Sequence, residues 1–413
     1  MAANAAKAVI PRDNIVFKGT VDEVSKYFST EKWSDGLAII PPTIDRVEEF
    51  LKYTDCSPDE KIAELLPSRL IATPWNIAVN GVMAGCRPEY MPILIAAVAA
   101  IGDKNYNLSQ LGTTGGANPF LILNGPLARQ LDIACGQGLA SYQSNQVIGR
   151  ALGLIVRNVA GFRIREAYMA TFGYVQPFVL VEDEQETPWE PYHVQKGFDM
   201  NASTVTAYAT VGWGPQTFLA GQPEHAKGLM EVLAFELAYN TPYNRGRAPV
   251  PGTTSRAKDV WGPAFPFKAL LISPSIAKTL AAGGYTTKES LIDDLVKNAR
   301  KDIYVASFFH TYGQSRDIDD SVEENIQKYL NDPDVTKVKL PWSRDEIETI
   351  PCMNKEKFLM IVCGDRGRNK ALTMTNFSNY QRPTTKEIKL PEKWDELMST
   401  LGYPPLKESY LSK

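Results

Sequence analysis

Histidine is scarce in this chain, with three in 413 residues, and cysteine is sparse at five. The cysteines, at positions 56, 86, 135, 352 and 363, form no CxxC pair and no Cys–His zinc spacing. An odd count in a chain of this size favours reduced thiols and a cytosolic setting. An excess of either charge is missing too. Lys+Arg number 44 against 47 Asp+Glu, a net charge of −3, and no basic run marks a nucleic-acid patch. The longest apolar run, 93–101, is about half of the roughly 20 residues that a membrane span needs. The opening MAANAAKAVIPRDN has no sustained apolar core of the kind a secretory signal carries. The expectation is a cytoplasmic protein with neither nucleic acid nor membrane as partner.

The remaining composition is globular, 44% hydrophobic and 22% charged, enough for a sizeable core. At about 150 residues per domain the length implies two or three domains. SDGLAIIPPT (34–43) reads as a short strand stopped by Pro41 and Pro42, after which Thr43 caps a helix over IDRVEEFLKY. From residue 75 strands and helices alternate, the mark of an α/β fold with mixed sheets. NIAVNGVMAG (76–85) reads as a strand, and PFLILNG, STVTAYATVG and FLMIVCG as further strands. LILNGPLARQL at 121–131 lies over LLISPSIAKTL at 270–280, each an apolar strand, a Pro turn and a helix. This points to two tandem, structurally related units, 75–199 and 200–330. An arm (1–74) precedes them, and a C-terminal strand and tail (331–413) follow. Ligands of α/β sheets sit at the carboxyl ends of strands, so a duplicated chain places its site between its halves.

Chemistry-bearing residues concentrate in NGVMAGCRPEYMP, 80–92. Cys86 follows Gly85 at the expected strand end and precedes a helix start marked by Pro88 or Pro92. A thiol at a helix N-terminus beside Arg87 has two reasons for a lowered pKa, the macrodipole and the guanidinium. Glu89, one turn on, is placed to move a proton. The plain alternative is a small buried hydrophobe. Cys135 and Cys363, both in turn contexts, are weaker thiol candidates. Asn80, Thr113, Thr114 and Asn124 are candidate substrate ligands. The Gly-rich turn carrying Thr113 and Thr114 precedes a strand instead of opening a helix, so it is neither a phosphate loop nor a dinucleotide fingerprint. The acidic loop 182–197 adds Glu184 and His193 as acid–base candidates, against the alternative of a solvated face. Three scattered histidines give no metal spacing, so no metal is expected, and the sequence names no cofactor.

SDGLAIIPPT together with NGVMAGCRPEY resembles a largely uncharacterised family of bacterial proteins whose usual text runs DGLPVVPPT and NAVMAGCRPEY. The likeness continues through GTTGG, NGP, IGRA, the 182–194 stretch, STVT and IVCGDRG, about residues 33–370, and Cys86 falls on the family's motif cysteine. Ala38 stands where the family has Pro, and CysGlyAspArgGly (363–367) where related sequences run Gly-rich. The resemblance implies thiol or selenol chemistry, and association with a small UGSC domain named for its selenocysteine–Gly–Ser–Cys motif. No Gly–Ser–Cys occurs in this chain, so such a subunit would come from another polypeptide.

The expectation is a cysteine-dependent enzyme, nucleophilic or redox, acting on a small polar substrate. Cys86 reacts, Arg87 stabilises the thiolate or a substrate anion, and Glu89 with Glu184 or His193 moves protons. Two rivals stand beside it: a non-catalytic scaffold subunit for a small UGSC-type redox partner, and a metal-dependent hydratase or lyase on the acidic loop. Long loops at 182–197 and 241–263 carry or flank Trp189, Tyr192, Trp213, Tyr239, Tyr243 and Trp261, the composition of an interface core. They predict a homo- or hetero-oligomer.

Overall fold

Two amphipathic helices, α1 (Val21–Thr30) and α2 (Ile44–Leu51), and a hairpin of β1 (Ala63–Leu65) with β2 (Leu70–Ala72) open the chain. A computed structural model describes residues 15–173, 176–240, 267–313, 321–376 and 381–406. Thr73 then starts α3 (Pro74–Ala84), where its side chain and Asn76 form a capping box and Pro74 fills a position that needs no N–H. The strand expected over 76–85 is therefore a helix, because a complete N-terminal cap outweighs the strand-favouring Ile and Val content. No strand forms over 34–43 either, where two prolines remove ladder donors.

After α4 (Met91–Ile101) come β3 (Asn118–Asn124), α5 (Pro126–Gln130), α6 (Gln143–Asn158), β4 (Val179–Val181) and the four-residue α7 (Tyr192–Gln195). β5 (Thr204–Thr210), β6 (Gly212–Phe218), α8 (Ala226–Phe235), β7 (Lys268–Ile272), α9 (Pro274–Ala282) and α10 (Lys288–Asn298) follow. An insertion holds β8 (Arg300–Asp302), α11 (Ile303–Gly313), α12 (Val322–Leu330), β9 (Thr336–Val338) and β10 (Ile347–Pro351). β11 (Phe358–Val362), β12 (Lys370–Thr375), β13 (Thr384–Glu387) and α13 (Trp394–Thr400) complete the order.

The first main sheet runs β13-β5-β3-β4 and the second β6-β12-β7-β11. Their pairings match. In each, a parallel pair (β3 with β4, β7 with β11) is joined through helices, and an antiparallel strand (β5, β12) lies on the other side. The edge strand of each comes from the other half: β5 runs on through Val211 into β6 of the second sheet, and the chain after β12 returns as β13 to the first. The segments 121–131 and 270–280 thus hold equivalent sheet positions. Upstream the correspondence fails, since 76–85 is helical and 204–213 is strand. The expected domain boundaries also need correction. Residues 204–210 and 384–387 belong to the first sheet, and the supposed C-terminal strand at 358–362 is the parallel neighbour of β7.

Alternation within the strands divides the core. Phe120, Ile122, Phe178, Leu180 and Tyr208 of the first sheet meet Ala269, Leu271, Leu359, Ile361 and Met374 of the second. Leu121, Leu123, Val179, Val181 and Val205 point the other way onto α3, α4, α5 and α6. Leu270, Ile272, Met360 and Val362 face α8, α9 and α10. The architecture is a four-layer α/β/β/α sandwich, an α/β fold with mixed sheets. Among the described residues no helix is long and apolar enough to cross a membrane.

Trp189 and Tyr192, expected in a subunit interface, are buried within their own chain. Trp189 donates its indole N–H to the Tyr285 carbonyl at 2.8 Å, and the Tyr192 ring lies between the sheets. Trp213 packs edge-on against Phe178, and Tyr239 stacks on Phe235. Tyr243 and Trp261 lie outside the described residues.

α6 sits directly on the segment leading into β4, because Gly149 leaves room for the Pro177 carbonyl, which a Cβ would overlap. In an ordinary helix interior Gly→Ala stabilises by about 1 kcal/mol. Here the sign is reversed: Gly149→Ala is expected to destabilise by about 1–3 kcal/mol through overpacking. A urea unfolding midpoint at or above that of the unaltered chain contradicts this close approach.

Candidate functional site at the strand ends

Cys86 lies just past the C-terminus of α3. Gly85 takes the left-handed conformation (φ 84°) that ends the helix, and the Cys86 N–H returns to the Gly81 carbonyl at 3.0 Å. The thiol is buried and donates to the Val147 carbonyl on α6 at 3.2 Å. Burial pushes its pKa well up and Arg150 offsets this only in part, so the environment runs opposite to the expected activation. Arg87 is held elsewhere: it donates to the Tyr403 hydroxyl at 2.7 Å and the Leu131 carbonyl at 2.8 Å, and pairs with buried Glu89 at 3.0 Å. Arg87 thus ties the C-terminal segment to the end of α5. Asn80 accepts from Asn158 at 2.8 Å and lines a groove of about 1600 Å³ that Cys86 does not reach.

A second cluster gathers where the chain leaves β3 and β4. Asn124 and Gly125 end β3, and Glu182, Asp183 and Glu184 follow β4 directly. Glu182 is buried, and both its oxygens are engaged. One oxygen accepts from Lys288 of α10 at 3.1 Å; the other accepts from Asn124 Nδ2 and the Tyr192 N–H, both at 2.7 Å. Glu184 accepts from Asn124 Nδ2 at 2.9 Å and the Gly125 N–H at 2.8 Å, and lies 3.3 Å from His193 Nδ1. The other imidazole nitrogen stands 3.3 Å from the Met200 carbonyl. Burial works against the imidazolium, but Glu184, Met200 and Glu182 outweigh it and the His193 pKa is raised. Asn124 Oδ1 is buried without a partner.

Next to this cluster the second sheet contributes Cys363, Gly364 and Arg366, immediately after β11. The Asp183 N–H bonds the Val362 carbonyl and the Gly364 N–H bonds the Cys135 carbonyl, both at 2.8 Å. Arg366 grips Asp183 with two hydrogen bonds, at 2.8 and 3.1 Å, and lies 3.3 Å from Glu186, which also pairs with Lys278. Cys135 is half-buried beside Arg366. Burial and Asp183 raise its pKa, and the guanidinium opposes them. Cys363 is buried, and burial with the nearby carboxylates pushes its pKa further up.

Of the expected residues, Asn124, Glu184 and His193 come together, while Cys86, Arg87 and Glu89 sit apart from them. Thr113 and Thr114 precede the amino end of β3, a strand length of about 20 Å from Asn124. Thr113 Oγ1 is buried without a partner, and the exposed Thr114 offers its carbonyl to Thr171. The residues missed were Asp183, Arg366, Lys288 and, in its weight, Cys135. Among the described residues no group of three or more His, Cys, Asp or Glu is arranged to hold a metal. No family model matches the chain, and neither a curated protein nor a solved structure shows significant similarity to it.

Two outcomes follow from these contacts. Lys288→Met strands the Glu182 carboxylate and costs about 3–5 kcal/mol in chemical denaturation. Adding Glu182→Gln restores part of that loss, because the amide oxygen still accepts from Asn124 and Tyr192; a double variant no more stable than Lys288→Met contradicts the pairing. For His193, the raised pKa means that its contribution is complete below the ordinary value of about 6.5 and fades as pH climbs through the folded value. Between about pH 5.5 and about pH 8.5, stability therefore falls more steeply for the native chain than for His193→Gln, and parallel profiles refute the imidazolium assignment.

Proposed function

We propose that this chain is a thiol-dependent enzyme acting on a small polar substrate, with Cys135 as its reacting thiol. The observation that carries this reading is the half-buried Cys135 beside Arg366, at the carboxyl ends of strands from both sheets. Ligand sites of α/β proteins form at such ends. Cys86, Cys352 and Cys363 are buried, and among the described residues no cation is bonded to the half-buried Cys56. Asp183 holds Arg366 in place, and the guanidinium supports the thiolate or an anionic substrate oxygen. We read the two sheets as one duplicated scaffold, on the strength of their equal pairings. The scaffold role for a small UGSC-type partner rests on the motif resemblance alone. The acidic-loop hydratase reading is the weaker, since Glu182, Asp183, Glu184 and Glu186 are each engaged by Lys288, Arg366, Asn124 or Lys278.

Alkylation by iodoacetamide, followed peptide by peptide with mass spectrometry, tests the assignment. Cys135 reacts well before Cys86, at a rate still rising above about pH 9, the ordinary thiol value, because its own pKa is raised. Arg366→Gln slows Cys135 roughly tenfold and leaves Cys56 unchanged. Labelling of Cys86 first, or a Cys135 rate indifferent to Arg366, overturns the reading.

A further inference from the structure

Cys135 and Cys363 come from different halves of the chain and meet through their backbones. β11 ends at Val362, and the Gly364 N–H just beyond it bonds the Cys135 carbonyl at 2.8 Å. Each cysteine α-carbon lies about 2.4 Å from its own end of that hydrogen bond. The two α-carbons are therefore at most about 7.6 Å apart. The trans peptide sets the Cys363 α-carbon beside the N–H instead of behind it. This brings the span into the range of about 4.4–6.8 Å that disulfides take. The thiols are also close enough to interact, since Cys135 is among the groups that push the Cys363 pKa up. A glycine follows each cysteine. Gly364 holds a left-handed φ of 96°, and among the described residues both Gly136 and Gly364 have open space where a Cβ would stand. Both loops thus have room for the small shift that a bond between the sulfurs requires.

We propose that Cys135 and Cys363 form a dithiol pair that reduces a small, polar disulfide, with Cys135 attacking first and Cys363 resolving. This rests on the reading of Cys135 as the reacting thiol and supplies its substrate class. Exposure sets the order: Cys135 is half-buried beside Arg366, and Cys363 is 5% exposed. The Cys135 thiolate forms a bond to one substrate sulfur as the substrate S–S bond breaks, and the departing thiolate takes up the proton that Cys135 released. Cys363 then gives up its proton and attacks the Cys135 sulfur. The protein disulfide forms, and the second substrate thiolate leaves with that proton. Two protein thiols are oxidised to one disulfide, and one substrate disulfide is reduced to two thiols. A dithiol reductant in excess reverses both exchanges and restores the pair. The Arg366 guanidinium, beside Cys135, supports the leaving thiolate. The raised pKa values of both cysteines favour this direction, since a sulfur of high pKa leaves slowly and the protein disulfide resists the return attack.

The reduced full chain, freed of reductant, is mixed with oxidised glutathione in the absence of air, then quenched with acid, alkylated and digested for mass spectrometry. The unaltered chain is expected to release two glutathione thiols and to carry a Cys135–Cys363 link. Cys363→Ala releases half as many and keeps glutathione on Cys135. Cys363 is buried and its replacement can perturb folding, so the linked peptide pair of the unaltered chain carries the test. A lasting glutathione adduct on Cys135 with Cys363 still free, or a link from Cys135 to any other cysteine, overturns the pair and leaves the reactive Cys135 standing. Cys135 left unmodified by glutathione but labelled by iodoacetamide overturns the disulfide substrate and not the thiol reading. Cys135 inert to both reagents overturns both.

Discussion

A carboxylate and an ammonium group, both removed from water, fasten the two sheets of this protein to each other. Glu182 follows the last residue of β4, and Lys288 opens α10 behind the second sheet. Each charge alone in that interior would be costly, and their attraction is supported by two further hydrogen bonds to the other oxygen of Glu182. Those further donors, Asn124 Nδ2 and the Tyr192 N–H, fix the end of β3 and the start of α7 at once. The position of the acidic loop follows from this one pair. Glu184 can reach Gly125 and His193, and Asp183 can reach Arg366, because Glu182 cannot move.

The exchange of edge strands supplies the same constraint on the backbone. β5 and β6 are one extended stretch divided between two sheets, and the chain after β12 makes the reverse crossing. Neither sheet is complete without the other half. The loops after β4 and β11 are therefore brought side by side, with the Asp183 N–H on Val362 and the Gly364 N–H on Cys135. A thiol from one half beside a guanidinium from the other is the chemical result of that topology.

Local chemistry made much of the fold legible. β3, β7 and β11 are apolar runs closed by Asn, Ser–Pro or Cys–Gly, and each lies where such a run predicts a strand. α3 was misleading because Ile77, Val79 and Val82 are β-branched residues that favour strands, whereas three residues at its start, Thr73, Pro74 and Asn76, decide for helix. Asn124, Glu184 and His193 were identifiable by type. Their grouping, and the Lys288 that anchors their neighbour 106 residues away, were not, since pairing over such distances leaves no local pattern. Cys86 drew attention through Arg87 and Pro88, but neighbours in sequence carry no information about α6, which covers the thiol. Arg366 was visible in CysGlyAspArgGly, and its partner Asp183 lies 183 residues earlier.

If the sheets form one unit clamped at Glu182, they open together. Native-state hydrogen exchange of the amides of Leu121–Leu123 in β3 and Leu270–Ile272 in β7 reads this directly, since the slowest amides report the opening free energy of their cooperative unit. The account predicts a single opening free energy for both sets, lowered equally by Glu182→Gln. Two distinct values, with only the β3 set responding to the substitution, would show two independent sheets and contradict a site built between them.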